Sequence, residues 1–221
     1  MAQVYAVPKR KSFLSSLSVT LIIVLINVAA FILFSILLSL NPKFIDFIAL
    51  KPDNIIHGQY LWTFLTSMFM HANFFHIFAN MLSLFFIGGL IERILGSKRY
   101  LYFYLAAGLF AGLLFVVSAF ILPGELSAYA VGASGAIFGL LGLLMLLTPN
   151  LPVYLMFIPI PIKMKYAAPG MLIVLWLISI AGNVSIGNTA HLGGFILGIF
   201  YGLYLKKKYK KKTLYISQAF S

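Results

Sequence analysis

Residues 17–40 run for 24 positions without a charged side chain. In hydrocarbon every backbone N–H and C=O must find a partner inside the chain, so an apolar run of that length folds as a helix across a bilayer. It exceeds the roughly 7–15 residues of a signal-peptide core, and the expectation is an uncleaved first span. Further apolar runs at 74–95, 100–121, 134–147, 166–181 and 190–205 make six. At about 20 residues per span, six spans with their connections nearly use up the 221 residues. Hydrophobic residues make up 62% of the chain and charged residues 9%, proportions that a soluble domain of this size cannot bury. The expected fold class is an all-α polytopic membrane protein with six transmembrane helices. An N-terminal segment (1–16), the membrane domain (17–205) and a basic C-terminal tail (206–221) divide it.

Lys and Arg set the orientation. Lys9, Arg10 and Lys11 precede the first span, and Arg93, Lys98 and Arg99 lie between the second and third. Lys163 and Lys165 precede the fifth, and Lys206, Lys207, Lys208, Lys210, Lys211 and Lys212 follow the sixth. These are 14 of the 16 basic residues, and the opposite connections hold only Lys43 and Lys51. The asymmetry puts both termini in the cytoplasm, and the expected location is a prokaryotic plasma membrane. The net charge of +12 then reads as a contact for anionic lipid rather than for nucleic acid. Cysteine is absent, which removes disulfides, thiol nucleophiles and thiolate metal sites.

Two segments break the regular pattern. Residues 41–70 carry Tyr60, Trp62 and several apolar side chains, too much for a plain connector. They are expected to fold against the membrane surface, with short helices around 44–50 and 62–69. The fourth run is short: its 14 residues rise about 21 Å, against a hydrocarbon core of roughly 30 Å. Ser134, which opens it, is therefore expected below the outer surface, at the floor of an aqueous pocket that other helices enclose.

Ser134 lies in Gly132-Ala133-Ser134-Gly135. At a helix start, free backbone N–H groups and the helix dipole favour negative charge, so an oxyanion formed on this serine would be stabilised by its own helix. Gly132 and Gly135 allow a tight turn into the helix. Gly135 with Gly139, and Gly194 with Gly198, also read as small-residue packing faces. The two readings are compatible, because close helix packing is what would bring Ser134 to His191. His191 opens the sixth run in Ala190-His191-Leu192-Gly193-Gly194. A neutral imidazole, with an ordinary pKa of about 6.5, suits proton transfer; the alternative is a polar contact at the interface. Asp46, Asp53 and Glu125 fall in connections and Glu92 at the basic end, so catalysis here would use a Ser–His dyad. His76, Asn80 and Ser83 form one polar stripe on the second span, either hydrogen bonding between helices or supplying N–H donors to an oxyanion. His71 and His76 are about 140° apart around a helix, and there is no His-Glu-x-x-His run. No metal and no cofactor is expected.

This combination resembles the rhomboid intramembrane serine proteases from the first span to the sixth. The matching elements are His71-x4-His76-x3-Asn80, Glu92-x3-Gly96, Gly132-x-Ser134-Gly135 and Ala190-His191-x-Gly193-Gly194-x3-Gly198. The resemblance implies Ser134 as nucleophile, His191 as general base, and His76, Asn80 and the Ser134 N–H as the oxyanion hole. It implies a structural Glu92 that ties down the connection before the third span, and residues 41–70 as a membrane-embedded first loop. Two departures stand out. Trp62-Thr63 occupies the place of a Trp-Arg pair found in many relatives, and Phe138 that of a tyrosine which stacks on the histidine in some.

The expected function is that of an intramembrane serine endopeptidase, acting through an acyl-enzyme on the transmembrane segments of other proteins. The resemblance implies a small residue before the scissile bond and lateral substrate access past the fifth span, where Pro159, Pro161 and Pro169 limit regular helix. The alternatives are a catalytically silent rhomboid-like protein that binds client helices, or a small transporter with a polar path. Transmembrane substrates and the lipid bilayer are the expected partners. The topology has a direct check. Reporter fusions after Lys212 should report the cytoplasm and fusions within 42–55 the opposite side, whereas a C-terminal reporter active only outside would require an odd number of spans.

Overall fold

The side chain of Ser18 accepts a hydrogen bond from Leu21 N at 3.2 Å, an N-cap that starts helix α1 (Val19–Leu40). The structure is a computed structural model and describes residues 17–154, 160–182 and 187–219. The basic residues Lys9, Arg10 and Lys11, the rest of segment 1–16, and Pro159 lie outside the described residues. After α1 the chain runs through short helical turns at Pro42–Phe44, Ile45–Ile48, Pro52–Ile56, Thr63–Thr66 and Ser67–Phe69. Four of them fall where the sequence places short helices, and Pro52–Ile56 is additional.

Helix α2 (Phe74–Leu95) is capped by Asn73, whose side chain accepts from His76 N at 2.8 Å. A π-helical turn at Leu84–Gly88 interrupts it. Gly96, at φ +81°, ends α2 and leads directly into α3 (Ser97–Ser118). A turn at Pro123–Leu126 precedes α4 (Ser134–Leu147). Strands β1 (Pro152–Val153) and β2 (Ile162–Lys163) pair antiparallel. Then come α5 (Met164–Gly182), α6 (Asn188–Lys208) and α7 (Lys210–Ala219).

The second and fourth spans have the expected bounds. The third lies at Ser97–Ser118 instead of 100–121, because helical hydrogen bonding resumes right after Gly96 and takes in the charged Lys98 and Arg99. The fifth and sixth helices are each longer at both ends than their apolar runs, for the same reason. α5 continues through Pro169, in its second turn. The basic segment after 205 is helical too: α6 extends to Lys208, and α7 follows with Thr213 buried.

Exposure along the outer helices is inverted relative to a water-soluble protein. α1 buries only Thr20, Ile23 and Asn27, while Leu25, Ile32, Leu33 and Ile36 are exposed. α5 likewise exposes Ile173, Leu177 and Ile180. Acyl chains solvate such surfaces and water does not. α1, α2, α3 and α5 are each long and apolar enough to cross a membrane, and α4 is apolar but shorter. The fold is a polytopic helical membrane bundle.

α4 is its axis. Gly135, Ala136, Phe138, Gly139, Leu140, Leu143 and Leu144 are all buried. α6 lies against it through glycines: a Cβ on Gly194 would collide with Gly135 O, and one on Gly198 with Gly139 O. On its other side, a Cβ on Gly139 would stand 2.5 Å from Ala107 Cβ of α3. Three helices thus meet at backbone distance. At the basic end Glu92 joins two elements. It accepts hydrogen bonds from Val19 N (2.8 Å), Thr20 N (2.9 Å), Thr20 Oγ1 (2.7 Å) and Ser97 Oγ (2.7 Å). Four donors satisfy its buried carboxylate, which also sits favourably at the positive end of the α1 dipole.

Gly198→Ala should lower the melting temperature in detergent, with an overpacking cost of about 1–3 kcal/mol. Gly170→Ala on α5, where a Cβ meets nothing within 4 Å, should be neutral or slightly stabilising. Equal melting temperatures for both variants would contradict the backbone contact between α4 and α6.

Candidate active site

The loop between α1 and α2 holds the segment that leads into α4. Leu50 N donates to Ala130 O at 3.1 Å and Ala130 N to Leu50 O at 2.8 Å, an isolated antiparallel bridge. Gly132 N donates to Ser67 O at 2.8 Å. The loop is itself pinned: Trp62 Nε1 donates to Phe47 O and Thr66 Oγ1 to Ile48 O, both at 2.9 Å. Thr63 is buried and donates to Tyr60 O at 2.7 Å, and Tyr129 OH donates to Asp46 at 2.7 Å. The Trp62-Thr63 pair thus bonds to the loop's own backbone.

Gly132 has φ +112°, a conformation that L side chains rarely adopt, and a Cβ there would lie 2.9 Å from His76 Cε1 and Nε2. Ala133 N donates to His71 Nε2 at 3.5 Å. Burial, and then the neighbouring His76, push the His71 imidazole down to about 4, which keeps it neutral and able to accept this bond.

Ser134 and His191 meet across the glycine seam. His191 Nε2 lies 2.7 Å from Ser134 Oγ, although 57 positions separate them. Phe138, one turn along α4, stacks on the His191 ring with centroids 4.6 Å apart at 26°. His191 is buried, and its Nδ1 has no hydrogen-bond partner among the described residues. Glu125 is set in the helical turn Pro123–Leu126 rather than a plain connection, and it does not reach this imidazole. It accepts from Thr189 Oγ1 at 2.9 Å and from Ser118 Oγ, tying the start of α6 to α3 two residues before His191. Sequence reasoning missed this tie, since nothing local marks a contact across 64 positions.

α2 supplies the third side. His76 Nδ1 accepts from Ala72 N at 3.4 Å, which leaves Nε2 as the protonated nitrogen, on the edge that faces Gly132. Asn80 Nδ2 donates to His76 O at 2.8 Å within the helix. Its Oδ1 is buried without a partner among the described residues, and an amide NH₂ carries a second hydrogen. Gly135, Gly194 and Gly198 serve the seam described above. The arrangement sets a hydroxyl against an imidazole, beside a helix N-terminus and the His76 ring, with Asn80 one turn further along α2.

Gly132→Ala should displace His76 and strain the turn, costing about 1–3 kcal/mol. Thermal unfolding together with labelling of Ser134 by a fluorophosphonate probe checks this, and unchanged labelling would mean that His76 is not held by Gly132.

Residues 58–208 match the family profile described as Rhomboid domain. The chain is 38% identical over 164 residues to RHOMBOID-like protein 1 of Arabidopsis thaliana, covering 70% of this chain and 37% of that protein. It is 30% identical over 154 residues to Rhomboid protein 1, mitochondrial, of Saccharomyces cerevisiae, covering 66% and 42%. With rhomboid protease GluP of Bacillus subtilis the identity is 32% over 166 residues, covering 73% and 29%. The chain therefore spans less than half the length of these relatives.

Proposed function

The chain belongs to the rhomboid family, and we propose that it is an intramembrane serine endopeptidase that cleaves transmembrane segments of other proteins. The observation that carries this reading is the 2.7 Å approach of His191 Nε2 to Ser134 Oγ. His191 takes the hydroxyl proton as Ser134 attacks the scissile carbonyl. The tetrahedral oxyanion is met by the Ser134 N–H at the α4 N-terminus, His76 and Asn80. His191 then protonates the leaving amine, and an acyl-enzyme remains on Ser134 for water to hydrolyse through the same base. Among the described residues no carboxylate orients the imidazole; the Phe138 ring takes that part by stacking.

The finer localisation belongs to the same proposal. The relatives named above come from a plant, a yeast and a bacterium, so they do not choose among membranes. The basic residues on one set of connections support cytoplasmic termini, and we place the protein in a prokaryotic plasma membrane. Substrate helices approach laterally past α5, whose second turn contains Pro169.

The test is cleavage of a transmembrane reporter by the purified protein, with fluorophosphonate labelling alongside. Ser134→Ala should abolish both while the protein keeps its melting temperature. Asn80→Ala should lower kcat about 100- to 1000-fold, the loss expected for one oxyanion donor, with KM little changed. Cleavage retained by Ser134→Ala would overturn the assignment, and unaltered turnover in Asn80→Ala would limit the oxyanion role to His76 and the backbone.

A further inference from the structure

All four acidic side chains of the chain are engaged away from the basic end of α6. Asp46 accepts from Tyr129 and Asn54, Asp53 pairs with His57, Glu92 holds α1 and Ser97, and Glu125 holds Ser118 and Thr189. Two cations meanwhile share one ring. The Arg99 guanidinium lies 5.6 Å from the Tyr209 centroid and Lys208 Nζ 5.7 Å from the same centroid. Lys208 also donates to Tyr204 OH at 2.7 Å. Phenol rings do not neutralise two like charges, and no carboxylate among the described residues stands with them. The cluster calls for an anion from outside the chain.

Its surroundings say what kind. From Arg99 a groove of about 360 Å³ runs between α3 and α6, lined by Tyr102, Phe103, Ala106, Leu197 and Tyr201. Arg99 to Ala106 is two turns of α3, a rise of about 10 Å, so the groove passes from the charged end into the apolar zone. One wall is fixed by stacking: Phe103 lies 4.8 Å from Tyr201, and Tyr201 lies 6.1 Å from Tyr204, both at 18°. The fitting ligand has an anionic head and an alkyl chain. We propose that this groove binds one anionic phospholipid, its phosphate on Arg99 and Lys208 and an acyl chain along Phe103, Ala106 and Leu197. Basic pockets between membrane helices recognise anionic headgroups in this way. The site is distinct from the diffuse attraction of the exposed Lys210, Lys211 and Lys212 on α7.

The experiment uses the full chain, stripped of lipid in neutral detergent and titrated with phosphatidylglycerol, phosphatidylcholine or inorganic phosphate. Thermal unfolding and native mass spectrometry read the binding. Phosphatidylglycerol should raise the melting temperature and remain bound one per chain, and phosphatidylcholine and phosphate should do neither. Arg99→Gln should weaken phosphatidylglycerol binding about fivefold, the worth of one cation at the membrane surface. Ala106 is exposed, so Ala106→Phe fills the groove without disturbing the core, and it too should weaken binding. Replacing Lys210, Lys211 and Lys212 together by Gln should change it less than twofold. Three outcomes would each overturn the site: equal stabilisation by inorganic phosphate, indifference to Ala106→Phe, or a loss in the triple variant as large as in Arg99→Gln.

Discussion

Gly194 of α6 rests on Gly135 of α4, and Gly198 on Gly139, so closely that a methyl group at either α6 position would overlap a carbonyl oxygen. Apolar burial contributes little to joining helices in a membrane, because lipid tails are as apolar as the side chains. Dispersion between closely approaching backbones does the joining, and only glycine permits it. Side chains near the start of both helices are then carried together. Ser134 precedes Gly135 on one helix and His191 precedes Gly194 on the other, so their 2.7 Å contact follows from where the seam runs.

Polar groups removed from water have to be paired, and the pairs double as the joints of the fold. Glu92 collects donors from α1 and from the start of α3. Glu125 does the same between α3 and α6 at the other end. The loop between α1 and α2 binds the segment before Ser134 through Leu50 with Ala130 and Ser67 with Gly132. Each joint closes around the helix that carries the serine. The groups left without partners among the described residues include His191 Nδ1, on the ring that meets Ser134, and Asn80 Oδ1, one turn from His76 on α2. An unpaired polar atom in a low-dielectric site is costly; under the proposed function, substrate and water would supply the missing partners.

The charge distribution separates the two ends. Asp46, Asp53 and Glu125 are absorbed in contacts at one end, and most lysines and arginines gather at the opposite end, where the one acid, Glu92, is taken up by donors from α1 and Ser97. That excess is what supports the cytoplasmic termini proposed above. Where Arg99 and Lys208 meet over Tyr209, the same excess becomes a local site.

Composition and hydropathy by themselves determined that this chain is a bundle of membrane helices, because apolar runs of spanning length leave the backbone no other means of satisfying itself. They also located the start of α4, since Gly132 must turn and Ser134 opens an unbroken apolar run. Phe138 at one turn from Ser134, and the four-residue spacing of His76 and Asn80, are likewise local and were legible. The helix ends were not: Lys98, Arg99 and Lys206 to Lys208 are helical although polar, because hydrogen bonding along a helix is indifferent to side-chain polarity. The 2.7 Å contact across 57 positions, the Glu125 tie to Thr189 and the groove beside Arg99 were decided only by the tertiary structure. Each depends on the relative rotation and depth of two helices. Those are set by packing summed over whole helix faces, and no local stretch of sequence contains that sum.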